Sequence, residues 1–233
     1  MTDAKTLVVV GGTGGIGREV CRHYAGQGWS VVLTGRDAGH AAAVAKEVGG
    51  DSRGLGLDLS KPSEVAGALA DVGPLDHVVL AAISRDENLV RDYDIDSATY
   101  LAVMKIVGYT AVLNALHERL SQDGSVVLFG GRAKDRPYPG STTVSAVNGA
   151  VTGQMRSLAV QLAPVRVNAL HPGIVADSPY WSGKKEATDR VLKATPTGRN
   201  VAMADIVDAV DFLLRNPSVN GVDLYVDGGW LLQ

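Results

Sequence analysis

The chain predicts an α/β fold: one domain built on a doubly wound, mostly parallel sheet of about seven strands. Three observations carry this. Apolar runs of strand length alternate with helical patterns from one end to the other, as in a parallel sheet with right-handed crossovers. The first run, Leu7-Val8-Val9-Val10, breaks into five glycines within seven positions, Gly11-Gly12-Thr13-Gly14-Gly15-Ile16-Gly17. No repeat, low-complexity tract or linker divides the 233 residues, so residues 1–233 read as a single domain.

An unbroken apolar run such as 7–10 suits a strand buried on both faces. The glycines that end it permit a tight turn with positive φ and close backbone approach to a bulky anion. A helix from residue 18 to about 28 aims its unpaired N–H groups and positive dipole end at the same place, which makes a pyrophosphate cradle. Val31-Val32-Leu33 is the second strand and completes the βαβ unit that such a cradle requires. Residues 53–59 form a third strand ending at Asp58, and Pro62 stands in the first turn of a helix. Residues 76–82 are a fourth strand, 94–120 one long helix or a kinked pair, and 124–129 a fifth strand. Val147, Val151, Leu158 and Leu162 give 144–162 an apolar face at helical spacing, ended by Pro164. Residues 165–170, 205–214 and 222–226 supply the sixth strand, the last helix and the final strand. The polar stretch 178–199 follows the sixth strand, at the edge where open α/β sheets bind ligands. It is either a lid over the site or a solvated loop.

Composition narrows the function. Hydrophobic residues make up 45% and charged residues 20%, an ordinary globular balance. A net charge of −3 leaves no basic stripe for nucleic acid. The longest apolar stretches fall far short of the roughly 20 residues of a membrane span, and Met1 to Thr6 lack the hydrophobic core of a signal peptide. Cys21 is the one cysteine, which excludes an intrachain disulfide and a Cys-rich metal centre. His23, His40, His77 and His117 show no ligand spacing, so no metal is expected. The expected location is cytoplasmic and the expected ligand a small molecule.

Over essentially its whole length the sequence resembles the short-chain dehydrogenase/reductase family. The matching landmarks are the glycine turn, Asp58, Val167-Asn168-Ala169-Leu170-His171-Pro172-Gly173 and the closing Val226-Asp227-Gly228-Gly229. The resemblance implies a Rossmann sheet, a nicotinamide cofactor and a homodimer or homotetramer. It places cofactor contacts at Gly11, Thr13, Gly14, Gly15, Ile16 and Gly17, at Gly35 and Arg36, at Asp58 and Leu59, at Ala81 and Ala82, at Asn148, and at Pro172, Gly173 and Ile174. Relatives that prefer NAD end the second strand in an acid for the ribose 2′-hydroxyl. Here Thr34-Gly35-Arg36 puts glycine in that place and a guanidinium beside it, a forked donor set suited to a 2′-phosphate. NADP(H) is therefore expected over NAD(H).

The family's chemistry does not carry over. Its serine, tyrosine, lysine and asparagine fall on Gly131, Val144, Asn148 and Lys105, and its Asn-Asn-Ala-Gly run on Leu80-Ala81-Ala82-Ile83. Valine donates no proton and glycine polarises no carbonyl. Lysine and asparagine have exchanged places, so Asn148 can still meet ribose hydroxyls while Lys105 brings an ammonium toward the pocket or reaches solvent from the helix flank. Tyr138, in Arg136-Pro137-Tyr138-Pro139-Gly140-Ser141, and His171 are the other candidate proton donors, and Ser141 and Ser145 bracket the lost tyrosine position. The leading expectation is an NADP(H)-dependent oxidoreductase with a non-standard active site. It would act on a small carbonyl or, needing less acid help, on an enone, imine or quinone. The rivals are a catalytically silent NADP(H)-binding sensor or partner subunit, and a non-redox lyase, isomerase or cyclase on the same scaffold.

Overall fold

A computed structural model describes residues 5–232; Met1 to Ala4, on which most of the leader expectation rests, lie outside them. The valine run forms β1 (Thr6–Val10), an interior strand of one seven-stranded sheet. β2 (Ser30–Gly35) and β3 (Asp51–Gly56) lie on one side of it, and β4 (Leu75–Leu80), β5 (Leu120–Phe129), β6 (Arg166–Pro172) and β7 (Asp223–Val226) on the other. The order is β3-β2-β1-β4-β5-β6-β7, parallel throughout. Val8 pairs with Val32 on one flank and Val78 on the other, all three buried.

Two apolar layers sandwich the sheet, which is why its central strands read as continuous apolar runs. On one face α1 (Gly15–Gly26), α2 (Ala38–Val48) and α8 (Met203–Arg215) bury Val20, Val44 and Val210. On the other, the short α3 (Val65–Ala68), α4 (Ile95–Ala102), α5 (Tyr109–Leu116) and α6 (Thr142–Gln161) bury Val65, Leu101, Leu113 and Val151. The chain leaves β1 toward β2 and returns past it to β4, so the crossovers diverge there. A ligand crevice opens outside the carboxyl ends of strands at such a switch point.

Some local expectations change. α1 begins at Gly15 rather than residue 18, because its first turn is glycine and carries no apolar periodicity. α2 was not distinguished in the sequence: it is alanine-rich and hides its stripe in Ala41, Val44 and Ala45. β3 ends at Gly56, leaving Asp58 two residues beyond the strand. The stretch 178–199 is no plain loop but contains α7 (Lys185–Ala194), and a bridge between Val175 and Val201 closes its base.

α4, a π-helical stretch (Val103–Gly108) and α5 run as one helix to Arg119, 25 residues in all. Contrary to the apolar-stretch expectation, this helix is long and apolar enough by composition to cross a membrane. Its core side, with Leu101, Met104, Tyr109 and Leu113, packs on the sheet.

Candidate active site

The glycine turn leaves β1 with Gly11 at φ +84° and enters α1 with Gly15 at φ +50°. Each glycine has a separate reason. A Cβ on Gly11 would stand 2.6 Å from the Ala82 backbone, and one on Gly17 would run into the Gly11 carbonyl. A Cβ on Gly14 or Gly15 meets nothing within 4 Å, so that side of the turn is open. Gly14 is the N-cap of α1, no side chain caps the helix, and its first turn holds no acid. Its leading N–H groups and positive dipole end are thus left for an anion. The arrangement fits a dinucleotide pyrophosphate.

At the end of β2, a Cβ on Gly35 would stand 2.4 Å from Thr13 Cγ2, so a side chain there requires Thr13 to move. Arg36 is exposed and bonded to no protein group among the described residues. Asp58 lies close enough for Arg36 to act on it. Burial pushes its carboxyl up, but hydrogen bonds from Ser60 and the charges of Lys61 and Arg36 outweigh this and hold it below the usual value. Both Ser60 bonds go to Asp58 Oδ1. Leu59 is buried in the core, with Gly108 pressed against its carbonyl. Ala81 N–H donates to the Val10 carbonyl, which seats the β4 end beside the turn.

The ends of β5 and β6 and the start of α6 pack tightly together. Gly130 and Gly131 follow β5. A Cβ on Gly130 would enter the His171 ring, and one on Gly131 would come 2.7 Å from Asn148 Nδ2. The Asn148 amide thus fills the space beside residue 131. Asn148 is only 6% exposed. Gly131→Ser should therefore overpack the site and lower stability by about 1–2 kcal/mol. In thermal melts Asn148→Ala is expected to restore that loss.

Lys105 does not reach solvent. It is 4% exposed on the π-helical stretch, and its Nζ donates to the Phe129 carbonyl at 2.6 Å and to Tyr109 Oη at 3.0 Å. Tyr109 in turn donates to the Ala82 carbonyl at 2.8 Å. This chain ties the end of β4 to the end of β5. Burial, with no carboxylate to offset it, pulls the ammonium down from 10.5 to about 7. Tyr109, missed by the sequence reading, stands one helical turn on.

The other candidates lie elsewhere. His171 is 0% exposed; its Nδ1 accepts from Gly131 N–H and its Nε2 meets Asp223 at 2.6 Å. Because the amide donates to Nδ1, Nε2 carries the proton, and both nitrogens are engaged. Burial holds the ring below its usual pKa despite the Asp223 contact. His171 braces Gly131 and has no free nitrogen for a substrate. Tyr138 is 53% exposed in the loop after β5; burial, then Glu87 and Tyr180, push its phenol up, which makes it a weaker acid. Ser141 and Ser145 stitch that same loop, to the Tyr138 and Ala133 carbonyls. Gly173 N–H donates to the Val226 carbonyl, which sets Pro172-Gly173-Ile174 at the end of β6. Cys21 is buried and its thiol pushed up to about 12, which keeps it out of the chemistry.

Residues 11–231 match the family described as Enoyl-(Acyl carrier protein) reductase. A 3-oxoacyl-(acyl-carrier-protein) reductase of Bos taurus is 32% identical over 234 aligned positions, covering 97% of each chain. A solved short chain dehydrogenase/reductase family protein has a TM-score of 0.87 at 30% identity, over 98% of both chains. A small-chain dehydrogenase solved in complex with NADPH has a TM-score of 0.83 at 26% identity, covering 99% of this chain and 100% of that one.

Proposed function

The chain belongs to the short-chain dehydrogenase/reductase family, and on that premise we propose that it is an NADP(H)-dependent oxidoreductase working through a rebuilt polar site. The observation that carries this is the glycine turn, open beside Gly14 and Gly15 with an uncapped α1 N-terminus behind it, in a chain whose relatives are reductases. The bound nicotinamide supplies or accepts the hydride. The open turn at Gly14 and Gly15 with the start of α1 holds the pyrophosphate, and Arg36 takes the 2′-phosphate. Asn148 hydrogen-bonds a ribose hydroxyl or the reacting oxygen. Lys105 holds a proton at Nζ beneath the Phe129 carbonyl, with an affinity matched to neutral pH. Tyr138 and Ile174 border the substrate side. A relative named for reducing a 3-oxoacyl group supports a carbonyl or related substrate. With Val144 in the tyrosine position, enones, imines and quinones, which need little acid, suit the site best.

Calorimetric titration with NADPH and NADH tests the cofactor. A charge-assisted phosphate contact contributes about 1.5–3 kcal/mol, so Arg36→Ala should weaken NADPH by about tenfold or more and leave NADH nearly unchanged. Equal losses for both cofactors would refute the 2′-phosphate role.

The reading includes a homodimer or homotetramer. Ile95, Ala98, Ala102 and Ile106 recur along one helix face and, with Ala146 and Val147 of α6, line an apolar groove of about 360 Å³. Ile95 is 70% exposed there. Light scattering of Ile95→Glu is expected to show a smaller assembly than the parent; an unchanged mass would place the interface elsewhere.

A further inference from the structure

β5 and β6 pair in parallel up to Phe129 and Leu170, and one step further Gly130 N–H donates to the Leu170 carbonyl at 2.9 Å. In a parallel ladder the Gly130 carbonyl would next accept from the N–H of residue 172, which is Pro172 and has none. The His171 side chain takes over there. Its Nδ1 accepts from Gly131 N–H at 3.1 Å, and its ring occupies the space that a Cβ on Gly130 would need. Asp223, on the neighbouring strand β7, completes the arrangement. Its Oδ1 accepts from His171 Nε2 at 2.6 Å and from Thr152 Oγ1 on α6 at 2.8 Å.

Thr152 stands one helical turn beyond Asn148, on the same face of α6. Asn148 Nδ2 lies against Gly131, 2.7 Å from where its Cβ would stand. The contacts therefore close a ring: Asp223 to His171, His171 to Gly131, Gly131 to Asn148, along α6 to Thr152, and back to Asp223. Charge matters as well as shape. Burial pushes the Asp223 carboxyl up, but hydrogen bonds from His171 and Thr152 outweigh this and hold it below the usual range. An ionised carboxylate only accepts, so it fixes the ring proton on Nε2 and leaves Nδ1 as the acceptor that Gly131 requires. Tyr225 stacks on the His171 ring with centroids 5.1 Å apart, which steadies its plane. Arg156 Nη2, 3.9 Å from the other carboxylate oxygen, has a side chain 71% exposed and adds little.

We propose that Asp223 is a positioning residue: through His171 and Thr152 it sets the Asn148 amide against the end of β5, whose Phe129 carbonyl holds Lys105. This rests on the oxidoreductase reading for what Asn148 does in the reaction, but not for the brace itself.

The test compares Asp223→Ala, Asp223→Asn and Thr152→Val in the full chain. Long-range proton–nitrogen NMR reads the His171 tautomer, and amide spectra read Gly131 N–H and the Asn148 side chain, all without cofactor. In the parent, His171 is expected as the neutral Nε2–H tautomer. Asp223→Ala should mix the His171 tautomers and shift the Gly131 and Asn148 signals. Asp223→Asn, whose amide oxygen can meet both donors, should restore the parent pattern. Thr152→Val cuts the α6 arm alone, and should move the Asn148 signals while sparing Gly131; should Asp223→Ala fail to fold, Thr152→Val decides. Loss of one positioned hydrogen bond predicts a fall in kcat of about tenfold for Asp223→Ala. NADPH affinity should stay within about threefold of the parent, since Arg36 and the glycine turn lie apart from the brace. Parent-like spectra in Asp223→Ala, an Nδ1–H tautomer in the parent, or Asn148 signals unmoved by Thr152→Val would overturn the proposal, as would shifted spectra with an unchanged kcat. Shifted spectra in a protein whose parent reduces no substrate would leave the brace standing and count against the redox reading.

Discussion

Gly14→Asp is expected to weaken NADPH binding by about two to three orders of magnitude while leaving the fold as stable as before, or more so. Gly14 has φ −162° and ψ 170°, extended backbone that any residue adopts, and its Cβ would meet nothing within 4 Å. It is also the N-cap of α1, where aspartate is a favoured residue and stabilises by roughly a few tenths of a kcal/mol over glycine. The same carboxylate would stand in the mouth of the anion cradle. Two unit charges about 4 Å apart repel by about 4 kcal/mol near a protein surface, close to a thousandfold in affinity. Titration and a thermal melt on the same sample separate the two effects, and Gly14→Asn serves as the uncharged control. Gly17 would be a poor choice, since a Cβ there runs into the Gly11 carbonyl and the protein itself would suffer. Unchanged NADPH affinity in Gly14→Asp would mean that the turn is a structural corner.

Lys105→Met is expected to change how stability depends on pH. Lys105 has a folded pKa of about 7 against an ordinary 10.5. Between those values the unfolded chain binds more protons, so the parent protein gains stability as pH rises. Below about pH 7 the cost of the buried charge is fully present. Each pKa unit corresponds to about 1.4 kcal/mol, so the parent should gain on the order of 4 kcal/mol relative to Lys105→Met between pH 7 and 10. Denaturant unfolding at several pH values measures this, and parallel curves for the two proteins would place Lys105 in contact with solvent. The substitution also leaves the Phe129 carbonyl and Tyr109 without their donor. Turnover should fall if the Nζ proton is used; unchanged turnover would remove Lys105 from the mechanism.

The parallel sheet was legible because most of its strands are short apolar runs that alternate with helical patterns, although alternation leaves their order in the sheet open. The cradle was legible for the same local reason. α2 was not, because alanine carries little hydrophobic signal, and α7 was hidden among the charges of its exposed face. The packing around Gly131, Asn148 and Lys105 was not legible, because it depends on partners far along the chain. His171 meets Gly131 across 40 residues and Asp223 across 52. Nothing in the sequence near His171 says that both its nitrogens are spoken for. Lys105 looked equally suited to solvent or interior until β5 placed the Phe129 carbonyl over it, 24 residues on.

The most direct test of the central claim is deuterium transfer from NADPH, labelled at its transferable hydrogen, to product across a panel of ketones, enones and imines. The account predicts label in at least one product, most readily from the enone or imine members, and slower transfer by Lys105→Met. A protein that binds NADPH tightly and passes label to no class would contradict it, and would make this chain a nicotinamide-binding protein without hydride chemistry.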